Sequence, residues 1–243
     1  YKSRGDNDSC LGNSMSNKGI LRSSLAKKYM MALSGLFLCL FLLGHLVGNL
    51  QLFKTGAEGK LAFNEYAHFM TTFPLVKLLS YLTYAAVLFH ILDGIVLTVQ
   101  NRRARPTGYV KEKGAANASW SSRNMGILGT IILVFLVSHM QNFWYVMHFG
   151  PIGESDGLKD LHTEVVAFFS PENSWGIVAV LGYVLAQMAL AFHLVHGFQS
   201  GFQSLGLSHP KYTPAIEKTG YLFGIGVPLL FAVIPVFLYI TQL

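Results

Sequence analysis

The run SGLFLCLFLLGHLVGN, residues 34–49, carries no Asp, Glu, Lys or Arg, and a single histidine, His45, stands near its end. A stretch this apolar reads as part of a helix that crosses a bilayer, which takes roughly 20 such residues. An ionisable ring inside it is costly unless it has a partner, so it is a functional candidate. Three more histidines repeat the situation in three further apolar segments: His90, His139 and His193. The segments run over roughly 29–50, 75–100, 125–148, 175–199 and 219–241, each long enough to span. The composition agrees. Of the 243 residues 52% are hydrophobic and 12% charged, against about 25% charged in a soluble domain, and the mean hydropathy is +0.43. The expected fold is all-α, a membrane-spanning bundle of five transmembrane helices over residues 25–243, preceded by a polar basic tail over 1–24.

The net charge of +6 points to orientation rather than to nucleic acid, and no nucleic-acid partner is expected. Arg102, Arg103, Arg105, Lys111, Lys113 and Arg123 crowd the link between segments two and three, and Lys211 and Lys218 lie between four and five. The other links hold Glu58 and Glu65, then Glu154, Asp156, Asp160, Glu164 and Glu172. The positive-inside rule then places the N-terminus in the cytoplasm. The basic inner surface fits anionic membrane lipid as well. The first 28 residues hold no apolar core of a signal peptide. Cys10 and Cys39 are too few for an iron–sulfur cluster, and Cys39 reads as a small core residue. The outer links 51–74 and 149–174 have room for short interfacial helices. Ser119, Ser121 and Ser122 are candidate caps for segment three, and Pro228 and Pro235 are expected to kink segment five.

Depth sorts the histidines. At 1.5 Å per residue, His45 lies about 24 Å from the inner start of its segment and His139 about 21 Å from the inner start of its own, both near the outer surface. His90 lies about 22 Å and His193 about 27 Å below their outer starts, near the inner surface. The layers are His45 with His139 and His90 with His193. Glycine follows His90 and His193 by four residues, at Gly94 and Gly197, on the same helix face; Gly44 and Gly48 flank His45. A missing side chain beside a histidine lets a large flat ligand approach the backbone, which a porphyrin needs and a bare ion does not. Two imidazoles per haem iron leave no open position, and such a centre transfers electrons. Each feature also has a plainer reading. A buried histidine can hydrogen-bond a neighbouring helix, and glycines can be ordinary helix contacts. His196 competes with His193 but lacks the glycine four residues on. Asp93, costly at its depth, pairs with a basic group or belongs to a proton path.

The run at 34–49, the stretch FNEYAHFMTTFP (63–74), the FHxxxG repeats at 89–94 and 192–197, and VSHMQNFW (137–144) resemble the dihaem cytochrome b subunit of succinate:quinone and quinol:fumarate oxidoreductases, of the single-subunit, five-helix anchor type. The resemblance covers the chain from about residue 25. It implies a respiratory complex II anchor in a bacterial cytoplasmic membrane, with a flavoprotein subunit and an iron–sulfur subunit as partners on the cytoplasmic face. It implies two haem b groups, the inner iron on His90 and His193 and the outer on His45 and His139, with Gly48, Gly94 and Gly197 beside them. A quinone, expected to be menaquinone, is the electron partner near the outer haem, and Glu65 is the matching acid in the first outer link. On that reading the chain works in catalysis only as a subunit. Two other readings stay open: the cytochrome b partner of a hydrogenase or formate dehydrogenase, and a transporter that uses histidines for a metal ion or protons.

Overall fold

The computed structural model describes residues 24–103 and 119–242. The basic tail up to residue 23 with Cys10, and the part of the basic link that holds Arg105, Pro106, Lys111 and Lys113, lie outside the described residues. Helix α1 spans Ser24–Asn49 and tightens into a 3₁₀ turn over Leu50–Phe53. Helix α2 (Gly56–Thr72) follows, and Pro74 opens α3 (Pro74–Arg103), where a missing N–H costs nothing. Helix α4 (Trp120–His139) is capped by Ser119, whose hydroxyl accepts from the Ser122 amide at 3.2 Å. It continues through a π-helical stretch, Met140–Tyr145, into α5 (Val146–Phe149). A two-residue hairpin, β1 (Glu154–Ser155) with β2 (Leu158–Lys159), turns on Asp156 and Gly157, both at positive φ, as the tight Asp-Gly hairpin turn requires. Helices α6 (Leu161–Phe169), α7 (Gly176–Ser204) and α8 (Thr213–Ile240) complete the chain.

Five helical stretches are long and apolar enough to cross a membrane: Leu25–Phe53, Pro74–Arg103, Trp120–Phe149, Gly176–Ser204 and Thr213–Ile240. They fall where the apolar segments are expected and extend past most of their ends. In α3 and α4 only 6% of the most apolar stretch is buried within the chain. Surfaces so apolar and so uncovered are stable only in apolar surroundings or against a partner, the pattern of a multi-pass membrane protein. Helix α1 lies against α3 and α7, α4 lies against α7, and α7 lies against α8. The last contact is close because Gly220 and Gly224 of α8 face α7. A methyl group on Gly224 would stand 2.8 Å from the Val195 backbone nitrogen, the small-residue packing of membrane helices. Helix α8 runs unbroken through Pro228 and Pro235, both buried. Cys39 is a free, buried thiol, as expected of a small core residue.

The two links expected to hold interfacial helices do so, as α2 and α6, and together they cover one end of the bundle. Leu52, Phe63, Val165, Phe169, Val180, Ile234 and Leu238 form a buried core there. A polar clamp joins the two caps. Asn64, 1% exposed, donates from Nδ2 to Asp160 Oδ1 at 3.0 Å and accepts from the His162 amide at 2.9 Å. Lys60 Nζ lies 2.6 Å from Asp160 Oδ2, and the Thr163 hydroxyl donates to the same oxygen at 2.7 Å. Burial by itself raises the Asp160 carboxyl. The hydrogen bonds from Lys60, Asn64 and Thr163 outweigh it and hold the group well below the usual carboxylate range.

Candidate functional site

The bundle brings the four histidine rings together as two pairs. His45 of α1 and His139 at the end of α4 have ring centroids 5.7 Å apart with planes at 90°. His90 of α3 and His193 of α7 have centroids 6.1 Å apart with planes at 69°. The partners are 94 and 103 positions apart in the chain, so only the packing of four helices places them. Two imidazoles bonded through nitrogen to one metal at about 2.0 Å have centroids about 6 Å apart. Both pairs stand at that spacing. Each pair offers two nitrogen donors and no more. Among the described residues no group of three or more His, Cys, Asp or Glu converges, whereas a structural zinc site takes four protein ligands and a catalytic one three. A donor set of two suits a metal that brings its own equatorial ligands, as haem iron does.

Other contacts orient the rings. The His90 Nδ1 lies 3.2 Å from Ser34 Oγ. The Tyr183 hydroxyl lies 3.5 Å from His139 Nδ1. A metal-ligating histidine usually has its other nitrogen held in this way. His193 Nδ1 is buried with no partner. His196 does not face the pair: its Nε2 lies 3.1 Å from Ser200 Oγ, one turn on in the same helix. The glycines divide. A Cβ on Gly197 would meet nothing within 4 Å, and one on Gly94 only the Met31 methyl at 3.7 Å, so the backbone beside the His90–His193 pair is approachable. Gly48 is different, because the Tyr66 ring of α2 occupies the place of its side chain, and the Tyr66 hydroxyl donates to the Gly44 carbonyl at 3.2 Å. Gly48 therefore admits Tyr66. Glu65 is exposed on α2, and Asp93 is half-buried one turn from His90 on α3.

Aromatic rings wall in the His45–His139 pair. Phe41 stacks on His45 at 5.5 Å, and Phe231 lies 5.6 Å from it. Phe135 and Phe143 flank His139 at 5.6 and 5.4 Å. Phe143 belongs to the π stretch. The wider turn begins directly after His139 and re-aims the residues that follow, as π-bulges do at functional sites. It packs Phe143 against Phe168 of α6 at 5.2 Å and sends Trp144 to the Tyr84 hydroxyl, to which its Nε1 donates at 2.8 Å. Behind the same stretch lies a cavity of about 480 Å³ lined by Gln141, Asn142, Tyr145, Glu164, Phe168 and Asn173 among others. Sequence reasoning missed Ser34, Tyr183, the π stretch and this cavity. A hydroxyl at the depth of a histidine layer is the signal that points to Ser34 and Tyr183. Nothing in MQNFWY distinguishes a π turn from an α turn.

No protein-family model, curated protein or solved structure matches the chain.

Proposed function

We propose that this chain is the membrane anchor and electron-transfer subunit of a succinate:quinone or quinol:fumarate oxidoreductase, with one haem b held by His90 and His193 and a second by His45 and His139. The observation that carries the reading is the pairing itself: four histidines from four helices, standing two by two at centroid distances of 5.7 and 6.1 Å. The donor count of each pair and the open backbone at Gly94 and Gly197 support haem over a bare ion, and so weigh against a metal transporter. The resemblance in the histidine motifs supports complex II over other respiratory cytochromes b. Its partners are then a flavoprotein and an iron–sulfur subunit on the cytoplasmic face of a bacterial membrane, and its electron partner is a quinone, with menaquinone the expected one.

A haem held by each histidine pair would supply a one-electron iron couple. The rest is the work of the chain. Its histidines hold the two groups in separate layers. Phe41, Phe135, Phe143 and Phe231 keep water from the His45–His139 pair. The cavity lined by Gln141, Asn142 and Glu164 has a volume within the range of small-molecule sites. Its amide groups at Gln141 and Asn142 suit quinone carbonyls, and the Glu164 carboxylate suits the hydroxyls of a quinol. Glu65, exposed on α2, is the acid that the resemblance puts forward for the quinone. The absorbance spectrum of the purified protein tests the proposal: a sharp reduced α-band of b type with two haems per chain is expected. A chain purified from membranes without haem refutes it. Copurification with hydrogenase or formate dehydrogenase subunits, instead of a flavoprotein and an iron–sulfur protein, refutes the assignment to complex II alone.

A further inference from the structure

We infer that Ser34 is a positioning residue for the His90–His193 centre: it holds His90 through Nδ1, keeps Nε2 as the metal-binding nitrogen, and lowers the reduction potential of that centre relative to one without this contact. This rests on the proposed haem ligation. Ser34 Oγ lies 3.2 Å from the Met31 carbonyl and 3.2 Å from His90 Nδ1. A hydroxyl has one proton to donate. The Met31 carbonyl can only accept, so the serine proton goes there and the serine oxygen accepts from His90. Nδ1 therefore carries the ring proton, and Nε2 is left with its lone pair. Gly35 completes the cup: a Cβ there would stand 3.2 Å from His90 Cε1, so glycine lets the ring lie close enough to α1 for the serine to reach it. One turn of α1, Met31–Gly35, thus grips the ring of a histidine that belongs to α3.

The consequence is asymmetric. His193, across the pair, has a buried Nδ1 with no partner, so Ser34 provides a side-chain contact to the imidazole nitrogens of this centre that its opposite ligand lacks. A hydrogen bond accepted from the far nitrogen makes the ligating nitrogen more basic. A more basic ligand favours the ferric iron, and second-shell hydrogen bonding is one of the levers on haem potential.

The test is a redox titration of the full-length protein carrying Ser34→Ala, followed by optical and paramagnetic resonance spectra that separate the two haems. The expected result is a rise in the midpoint potential of one haem, the one lost in His90→Ala, with the other unmoved. Ser34→Thr, which keeps the hydroxyl, is expected to restore the wild-type value. Loss of that single haem in Ser34→Ala with retention in Ser34→Thr also supports the inference. Two retained haems with unchanged potentials in Ser34→Ala overturn it, and so does an equal shift or loss at both centres, which would mark a purely structural role. Wild-type protein without haem refutes the proposed function itself and is distinguishable from all of these.

Discussion

Asp160→Ala cuts the clamp between α2 and α6, and its cost follows from what the carboxylate leaves behind. Its side chain is 10% exposed and that of Lys60 32%, so Lys60 regains water when its partner goes, and little of the loss comes from the ion pair itself. Asn64 does not regain water. It is 1% exposed, and its Nδ2 loses an acceptor at 3.0 Å. A buried donor left unsatisfied costs about 1–3 kcal/mol. The Thr163 amide and hydroxyl lose the cap of α6, worth about 0.5–2 kcal/mol. Together these come to about 3 kcal/mol, or about a hundredfold in a local opening equilibrium. The assay is amide hydrogen exchange on the full chain in detergent, read over residues 161–169. About a hundredfold faster exchange is expected there, with α3 unchanged. Exchange in α6 rising less than about threefold would refute the reasoning, as would a rise of equal size in α3. The pH dependence carries a definite sign. The folded carboxyl sits below its ordinary value, so its contribution is fully present above about pH 4, the usual carboxylate range. It is lost as pH falls through the depressed folded value. Asp160→Asn is expected to flatten protection against pH in that acidic window.

Further predictions concern the histidine pairs. His90→Ala and His193→Ala are each expected to remove the same haem, and His45→Ala and His139→Ala the other, as counted by pyridine haemochrome. His196→Ala is expected to spare both, and loss of a haem there would reverse the choice of His193. Gly197→Ala is expected to lower haem content while changing the thermal stability of the haem-free protein by no more than about 1 kcal/mol, because no atom lies within 4 Å of the added Cβ. Gly48→Ala is expected to act the other way, displacing Tyr66 at a cost of about 1–3 kcal/mol with both haems retained, as read by unfolding and by spectrum. Tyr183→Phe is expected to raise the potential of the haem that depends on His139, by less than Ser34→Ala moves its own, since a contact of 3.5 Å is at the limit of a hydrogen bond.

What the chain alone determines about this protein is set by solvent and by period. A run such as residues 34–49 has nowhere to place its backbone except a helix in an apolar medium, so the five spans were legible, and so were the helical outer links. The depths of His45, His90, His139 and His193 follow from a constant rise per residue, and the two layers follow from the depths. The glycines were legible as missing side chains, but not the neighbour that uses each gap. Gly197 and Gly48 look alike in sequence, yet one faces open space and the other a tyrosine 18 residues on. Tertiary structure alone decided the contacts that depend on how a helix is rotated about its axis: Ser34 behind His90, Tyr183 behind His139, and His196 turned to Ser200 while His193 faces His90. Rise along a helix is a property of every residue and can be summed from the sequence. Rotation is set by which neighbour packs where, and a single π turn after His139, unmarked in composition, is enough to re-aim every side chain beyond it.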